Sequence, residues 1–324
     1  MRRVLVTGAT GGLGLAVVEV LRRQGYRVRA TGRDVTRGAR LEGPGVEFVA
    51  TDLCTPGAAQ ALVDGMDSVI HAAALSSPWG AKAAFHAINV AATEALLIAA
   101  KAEKCQRFVF VSSPSVYARA ADQIGLRESD PVTPRPLNAY AATKIEAERR
   151  VLNAANADMA CVSIRPRAIV GPDDTVLLPR VLRLMRRGRF PLLRGGQALM
   201  ELTDVRDVAQ ALVLAEQRAP LLNGEAVNIS GGHALPVREM VERFAQALNL
   251  PVKFVPVPYG PLRLAVAGME AVCRRLPGQP EPPLTVYGLT TLAFSQMFDL
   301  SVARERLGFK PAYDAFQSAI EAAS

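Results

Sequence analysis

Val4-Leu5-Val6-Thr7-Gly8-Ala9-Thr10-Gly11-Gly12-Leu13-Gly14 is the stretch whose reading decides the fold. Val4 to Thr7 are apolar or β-branched, the pattern of a short strand covered on both faces. Gly8, Gly11 and Gly14 follow at three-residue intervals, and Leu13, Val17, Val18 and Leu21 mark one face of a helix. In a strand–turn–helix unit Gly8 allows the sharp turn, Gly11 lets backbone N–H groups approach a phosphate, and Gly14 lets the helix lie tight on the strand. The N-terminus of such a helix favours anions through free N–H groups and its dipole, so a dinucleotide pyrophosphate is expected there. Thr10, Gly12 and Leu13 complete the turn and are expected to line the same ligand. A glycine triplet is weak by itself; its place between a strand and an amphipathic helix gives it weight.

Composition bounds the alternatives. The 324 residues are half hydrophobic and 21% charged, a globular balance with enough chain for one elaborated α/β domain or two lobes. The net charge of +8 admits either anion attraction or a nucleic-acid or membrane surface. Its densest cluster is Arg180, Arg183, Arg186, Arg187, Arg189 and Arg194, with no nucleic-acid motif beside it, so a solvated helix face is expected and no nucleic-acid partner. Cysteines 54, 105, 161 and 273 have neither metal-ligand spacing nor paired histidines. No metal is expected, and scattered thiols suit the reducing cytoplasm. With a strand opening the chain no signal peptide is expected, and no apolar run looks long and clean enough to span a bilayer.

Strand and helix patterns alternate through the first half, which predicts a parallel, doubly wound α/β sheet. Strands are expected at 3–7, 28–31, 46–50, 68–71 and 107–111. The second ends in Thr31-Gly32-Arg33, where a carboxylate would accept from a ribose 2′-OH and an arginine would suit a 2′-phosphate. Gly32 offers no carboxylate, Arg33 follows, and Arg37 is a second possible contact; a one-residue shift would instead place Asp34 at the ribose. NADP(H) is therefore favoured and NAD(H) possible. Asp52-Leu53 after the third strand could meet the adenine amine or cap the next helix. His71 ends a buried strand and reads as a hydrogen-bonded structural residue rather than a base; Ala72, Ala73 and Ala74 behind it are small enough to let the backbone approach the cofactor.

The chemistry is expected at the end of the fifth strand, because ligands in open α/β sheets bind outside the carboxyl ends of strands. Ser112-Ser113-Pro114-Ser115 lies there, and a proline-rich loop leads to Tyr140 and Lys144, one helical turn apart. A free tyrosine titrates near pH ~10. A lysine one turn away would favour its phenolate, so that Tyr140 could exchange a proton with a carbonyl or alcohol oxygen that Ser113 polarises. Lys144 would also hold the nicotinamide ribose.

With these residues in place the chain resembles the extended short-chain dehydrogenase/reductase superfamily over nearly its whole length. The glycine turn, Asp52-Leu53, His71-Ala72-Ala73, Asn89, Ser113 and Tyr140/Lys144 occur in that family's order. Ser77-Pro78-Trp79-Gly80, Phe85, Asn89-Val90, Arg165-Pro166-Arg167-Ala168-Ile169-Val170-Gly171-Pro172, Leu202-Thr203-Asp204-Val205-Arg206-Asp207-Val208-Ala209 and Glu281-Pro282-Pro283-Leu284-Thr285 are similar to the 3β-hydroxysteroid dehydrogenase/isomerase-like branch. Within that branch they resemble bacterial reductases of 2-alkyl-3-oxoalkanoic acids. The resemblance implies a Rossmann-type sheet with a smaller C-terminal substrate-binding lobe. It also implies interconversion of a ketone and a secondary alcohol on a hydrophobic substrate, a 3-oxo acid or steroid-like, with Pro166 beside the nicotinamide. Ala91-Ala92-Thr93 departs from the family's glycine-threonine, a packing difference. Homodimers of the family pair through helices like 88–102 and 139–152.

The division expected is 1–170, with 203–230 returning to it, for the dinucleotide and 171–324 mainly for substrate. Residues 261–276 mix Leu262, Leu264, Val266, Met269 and Val272 with Arg263, Glu270, Arg274 and Arg275. That mixture suits a core helix, a cover over the substrate pocket, or an interfacial helix giving a cytoplasmic protein peripheral membrane contact. Two further functions stay open: a nucleotide-sugar epimerase or dehydratase using the same site with NAD, and a non-catalytic NADP-sensing protein. Pro114-Ser115 offers no acidic pair of the kind dehydratases favour, and sensors typically lack the tyrosine–lysine pair.

Overall fold

Seven parallel strands build the central sheet: β1 (Arg3–Thr7), β2 (Arg27–Gly32), β3 (Val46–Ala50), β4 (Ser68–His71), β5 (Arg107–Val111), β6 (Ala160–Pro166) and β7 (Glu225–Ile229). Their order is β7-β6-β5-β4-β1-β2-β3. The computed structural model describes residues 2–174 and 177–323. The order reverses beside β1, so a crevice opens between the carboxyl ends of β1 and β4, the place where such sheets bind ligands. β1 is paired on both sides, Val4 with Val28 and with Ser68, and Val4, Leu5 and Val6 have no exposed surface. That double coverage is why the opening run is continuously apolar rather than alternating.

Helices cover both faces. α1 (Gly12–Arg23) buries Val17, Val18 and Leu21 against the sheet and against α5 (Val205–Arg218). Its helix ends where Gln24 caps it and Gly25 turns with φ 76°. On the other face, α3 (Ala92–Ala102) and α4 (Ala139–Asn153) pack Leu96, Ala100, Ala147 and Val151 against Phe108 and Phe110. Each fully buried Leu or Val of this kind contributes about 1.5–3 kcal/mol. α2 (Val35–Ala39) is a single short turn behind β2.

Two expectations change. Lys82–Ala102 is a 21-residue helical stretch long and apolar enough by composition to cross a membrane, contrary to the expectation of no such run. Half of its most apolar window is buried, with Phe85, Val90 and Leu96 in the interior, so its apolarity serves packing. The second change is α6 (Tyr259–Cys273), which covers the uncertain 261–276 segment. It is not a core helix: Val266 is its only buried residue, and Leu264 is 70% exposed. It leans on α7 (Val286–Ala293), where the Glu270 carboxylate accepts a hydrogen bond from Val286 N at 2.8 Å.

Candidate active site

The glycine turn is shaped by close approach. Gly8 has φ 67°, and a Cβ there would lie 2.7 Å from Ala73 N; one on Gly14 would overlap the Gly8 carbonyl. Gly11 N donates to Gly8 O at 3.0 Å, and Gly11 caps α1 without a side-chain partner for the helix N–H groups. Those N–H groups remain for an anion, so the turn fits a dinucleotide pyrophosphate. Thr10 packs so closely on Gly32 that a Cβ at position 32 would overlap its side chain. The strand end therefore carries no side chain at the ribose position. Gly12 lies under the Pro172-Asp173 backbone, a Cβ there meeting Asp173 O at 3.1 Å. Leu13 is half-buried on the first turn of α1.

Beyond β2, Arg33 is exposed, whereas Asp34 caps α2 by accepting from Arg37 N at 2.9 Å. Arg37, read as a second phosphate contact, is engaged instead by Asp173 at 2.7 Å. Asp52 accepts from Cys54 N at 2.9 Å in a local turn; it does not cap the next helix, whose cap is Gly57, and Leu53 beside it is half-buried.

His71 has no exposed surface and is held between Thr7 Oγ1 at 2.7 Å and Thr93 Oγ1 at 2.9 Å. Burial pushes its imidazole down to about 3, with the nearby Lys144 cation adding to the effect. A neutral ring locked at both nitrogens is a brace: Thr7 Oγ1 also accepts from Ala73 N at 3.2 Å, which fixes the start of Ala72-Ala73-Ala74 against the glycine turn. Asn89 braces the next loop, accepting from Leu75 N at 2.8 Å and donating to Thr143 Oγ1 at 3.1 Å. It sits in a π-helical turn, Ala87–Ala91, of the kind that often marks a functional site.

Ser113 leaves β5, is 8% exposed, and caps the short turn Pro114–Tyr117 by accepting from Ser115 N at 3.2 Å. Asn138 caps α4, accepting from Ala141 N at 2.8 Å, which sets Tyr140 in the first helical turn facing the end of β5. Tyr140 is half-buried, 6.5 Å from the Phe85 ring. Desolvation pushes its phenol above the ordinary value, while hydrogen bonding to Ser113 and Ser76 pulls it down. Ser76 was not singled out from the sequence, because only folding brings its loop over α4.

Lys144 is 2% exposed, donates to Val111 O at 2.7 Å, and lies 6.0 Å from the Tyr140 ring centre. Burial lowers its ammonium to about 7, opposed by the Glu148 carboxylate one turn further along α4. The lysine expected to lower Tyr140 is thus itself strongly shifted, and burial dominates the phenol. Glu148 is locked by Arg165, whose Nε donates to it at 2.9 Å, and by Ser163 Oγ at 2.9 Å; the two side chains of the ion pair are each 5% exposed. Arg165 also donates to the Tyr117 hydroxyl. Tyr140, Lys144 and Glu148 recur every four residues on α4, so the local spacing that pairs Tyr140 with Lys144 extends one turn further to Glu148. Pro166 closes β6 opposite Ile229.

Among the described residues no group of three His, Cys, Asp or Glu is placed to hold a metal ion. A crevice that presents helix N–H groups to a dinucleotide and, at the neighbouring strand end, a serine, a tyrosine and a lysine defines an NAD(P)-dependent oxidoreductase acting between CH–OH and C=O. The chain belongs to the NAD dependent epimerase/dehydratase family, whose model matches residues 4–230. It is 36% identical to the uncharacterized protein YbjS of Escherichia coli K12, covering 95% of this chain and 93% of that one. It is 34% identical to a 2-alkyl-3-oxoalkanoate reductase of Stenotrophomonas maltophilia, over 95% and 94% of the two chains. Among solved structures, MoeE5 in complex with UDP-glucose and NAD superposes with a TM-score of 0.75 at 25% identity, over 99% and 98% of the chains.

Proposed function

We propose that the protein reduces a ketone on a hydrophobic substrate, a 3-oxo acid or a steroid-like ketone, to a secondary alcohol with NADPH. The observation that carries this reading is that Ser113 hydrogen-bonds the Tyr140 phenol and Lys144 lies 6.0 Å from the same ring, at the carboxyl end of β5. When bound, the dinucleotide supplies a hydride to the carbonyl carbon. Tyr140 delivers the proton that the carbonyl oxygen needs as that carbon becomes a carbinol. Ser113 donates to the same oxygen and polarises it. The Lys144 ammonium, one turn away, stabilises the phenolate left on Tyr140.

Arg33 supports NADPH over NADH: it is exposed at the end of β2, Gly32 offers no carboxylate, and Asp34 is used as a helix cap. Residues 1–170 with 203–230 serve the dinucleotide in this reading, and 171–324 mainly the substrate. Ile98, 66% exposed on α3, supports pairing of two copies through α3 and α4. Leu264, exposed next to Arg263, and Val272, also exposed, support lipid contact by α6 from the cytoplasmic side. The free cysteines suit that compartment.

Fluorescence titration of the nucleotide-free protein with NADPH and NADH tests the cofactor, with NADPH expected to bind at least tenfold more tightly. Tighter NADH binding, or NAD retained through purification, would favour the alternative of a nucleotide-sugar epimerase or dehydratase. Tyr140→Phe is expected to lower ketone reduction by about 1,000-fold or more, the upper range for a positioned acid, with NADPH still bound. A variant that keeps most of its activity would refute the proton-transfer role.

A further inference from the structure

Arg165 and Arg167 are two residues apart at the end of β6, yet they live differently. Arg165 is locked to Glu148 and Tyr117. Arg167 is 6% exposed, and among the described residues its side chain makes no ion pair and no hydrogen bond; its Nε is fully shut off from solvent without a partner. A buried guanidinium stays cationic, and without an anion in contact it is costly to keep. Glu201, 2% exposed, is within electrostatic reach but not in contact, and burial pushes its own carboxyl up while Ser230 and the Phe298 backbone hold it down.

Position says where the missing anion would lie. β5 and β6 run side by side with Val111 opposite Ile164, so Ser113 and Arg167 leave adjacent strand ends. Arg167 N continues the ladder by donating to Ile229 O at 2.8 Å. Side chains alternate along a strand, so Arg167 shares the face of Arg165, the face that α4 covers. Arg165 meets Glu148 there, and two residues further along the strand is roughly 7 Å nearer the helix start that carries Tyr140. Tyr287, in the first turn of α7, closes the far side: it is under the influence of both the Arg167 cation and the Tyr140 phenol, and burial pushes it up to about 12, a neutral donor at working pH.

We propose that Arg167, with the Tyr287 hydroxyl, is the specificity-determining subsite for a carboxylate carried by the ketone substrate. This rests on the ketone-reductase reading and chooses within it: the acid, not the neutral ketone, is the substrate. The planar fork of an arginine matches a carboxylate with two parallel hydrogen bonds. A carboxylate beside the reacting carbonyl would sit at Arg167 while the carbonyl oxygen sits between Ser113 and Tyr140.

The test compares 3-oxododecanoate with its methyl ester at equal NADPH, in the wild type, Arg167→Met and Arg167→Lys. The wild type is expected to favour the acid by on the order of 100-fold in kcat/KM, mostly through KM. Arg167→Met is expected to bring that preference close to unity, and Arg167→Lys to keep part of it. Equal use of acid and ester by the wild type would overturn the subsite and leave the reductase reading standing, with no variant needed. A preference unchanged in Arg167→Met would overturn it too, as would a variant that loses both substrates equally, which would make Arg167 only a counter-charge for Glu201. If the wild type reduces neither compound, the reductase reading fails. Calorimetric binding of 3-hydroxydodecanoate to the NADP-loaded protein then decides the subsite: binding lost in Arg167→Met supports it, and no binding to the wild type overturns it.

Discussion

The β4–β6 end of the sheet and the α6–α7 arm border the same cleft, but they are built on opposite terms. Under the sheet, two sets of buried polar groups are satisfied by one another. His71 is satisfied at both ring nitrogens, and Glu148, Arg165, Ser163 and Tyr117 form one buried network. In the arm, most of α6 faces outward and the attachments are few. Glu270 holds Val286 N, Arg274 lies 4.5 Å over the Trp79 ring, and Trp79 Nε1 donates to Gln279 O at 2.8 Å. The proposed proton transfer by Tyr140 would need the first design, because the donor has to be held to within a fraction of an ångström. An arm held by few contacts opens at little cost, which would suit a cover over the substrate if the arm serves as one.

The largest effect should come from breaking the sheet-side network. Arg165→Met leaves Glu148 buried and uncompensated, and about 3–5 kcal/mol of stability should be lost in urea unfolding. A loss comparable to that of a surface substitution would mean the two regions do not differ as described. Next is Gly14→Ala, where the added methyl overlaps the Gly8 carbonyl. About 1–3 kcal/mol is expected from overpacking, together with weakened NADPH binding by fluorescence titration. The same change at Gly268 in α6, where a Cβ meets nothing within 4 Å, should be tolerated or slightly stabilising.

Acid sensitivity separates the two regions by charge. His71 titrates at about 3 when folded, below its ordinary value of 6.5. Between those values the unfolded chain binds a proton that the folded chain refuses, so stability falls as pH falls through that window, by up to about 1.4 kcal/mol per pH unit. His71→Gln should be less stable at neutral pH but show a shallower decline; an unchanged slope would place the acid sensitivity elsewhere. The smallest effect belongs to the arm. Arg274→Ala removes a partly exposed cation–π contact worth about 0.5–1 kcal/mol. Overall unfolding should barely move, while protease cleavage within 259–283 accelerates. Unchanged cleavage would mean that the contact does not hold the arm.

Much of the site could be read along the chain because its signals are local. Glycine spacing, the Tyr140–Lys144 step and the strand-end position of Ser113 are properties of neighbouring residues in one element. The five expected strands of the first half coincide closely with β1 to β5, since each is a short apolar run between turn signals. The helix at 261–276 was not legible in the same way. A mixed apolar and basic pattern suits a core helix first, with a cover or an interfacial helix as alternatives, and the surroundings decide against the core helix.

By itself, the sequence determined the order of strands and helices along the chain, the glycine turn between β1 and α1, and the chemical types gathered at the end of β5. Hydrophobic period, backbone freedom at glycine and side-chain chemistry are written residue by residue. The tertiary structure alone decided how charges are partnered. It engaged Arg37 with Asp173, spent Asp34 on a helix cap, and locked Arg165 to Glu148 while leaving the Arg167 side chain with no hydrogen bond or ion pair among the described residues. Those outcomes depend on distance and burial between residues far apart in the chain, and the cost of a charge is set by the dielectric and partners that only the folded interior supplies.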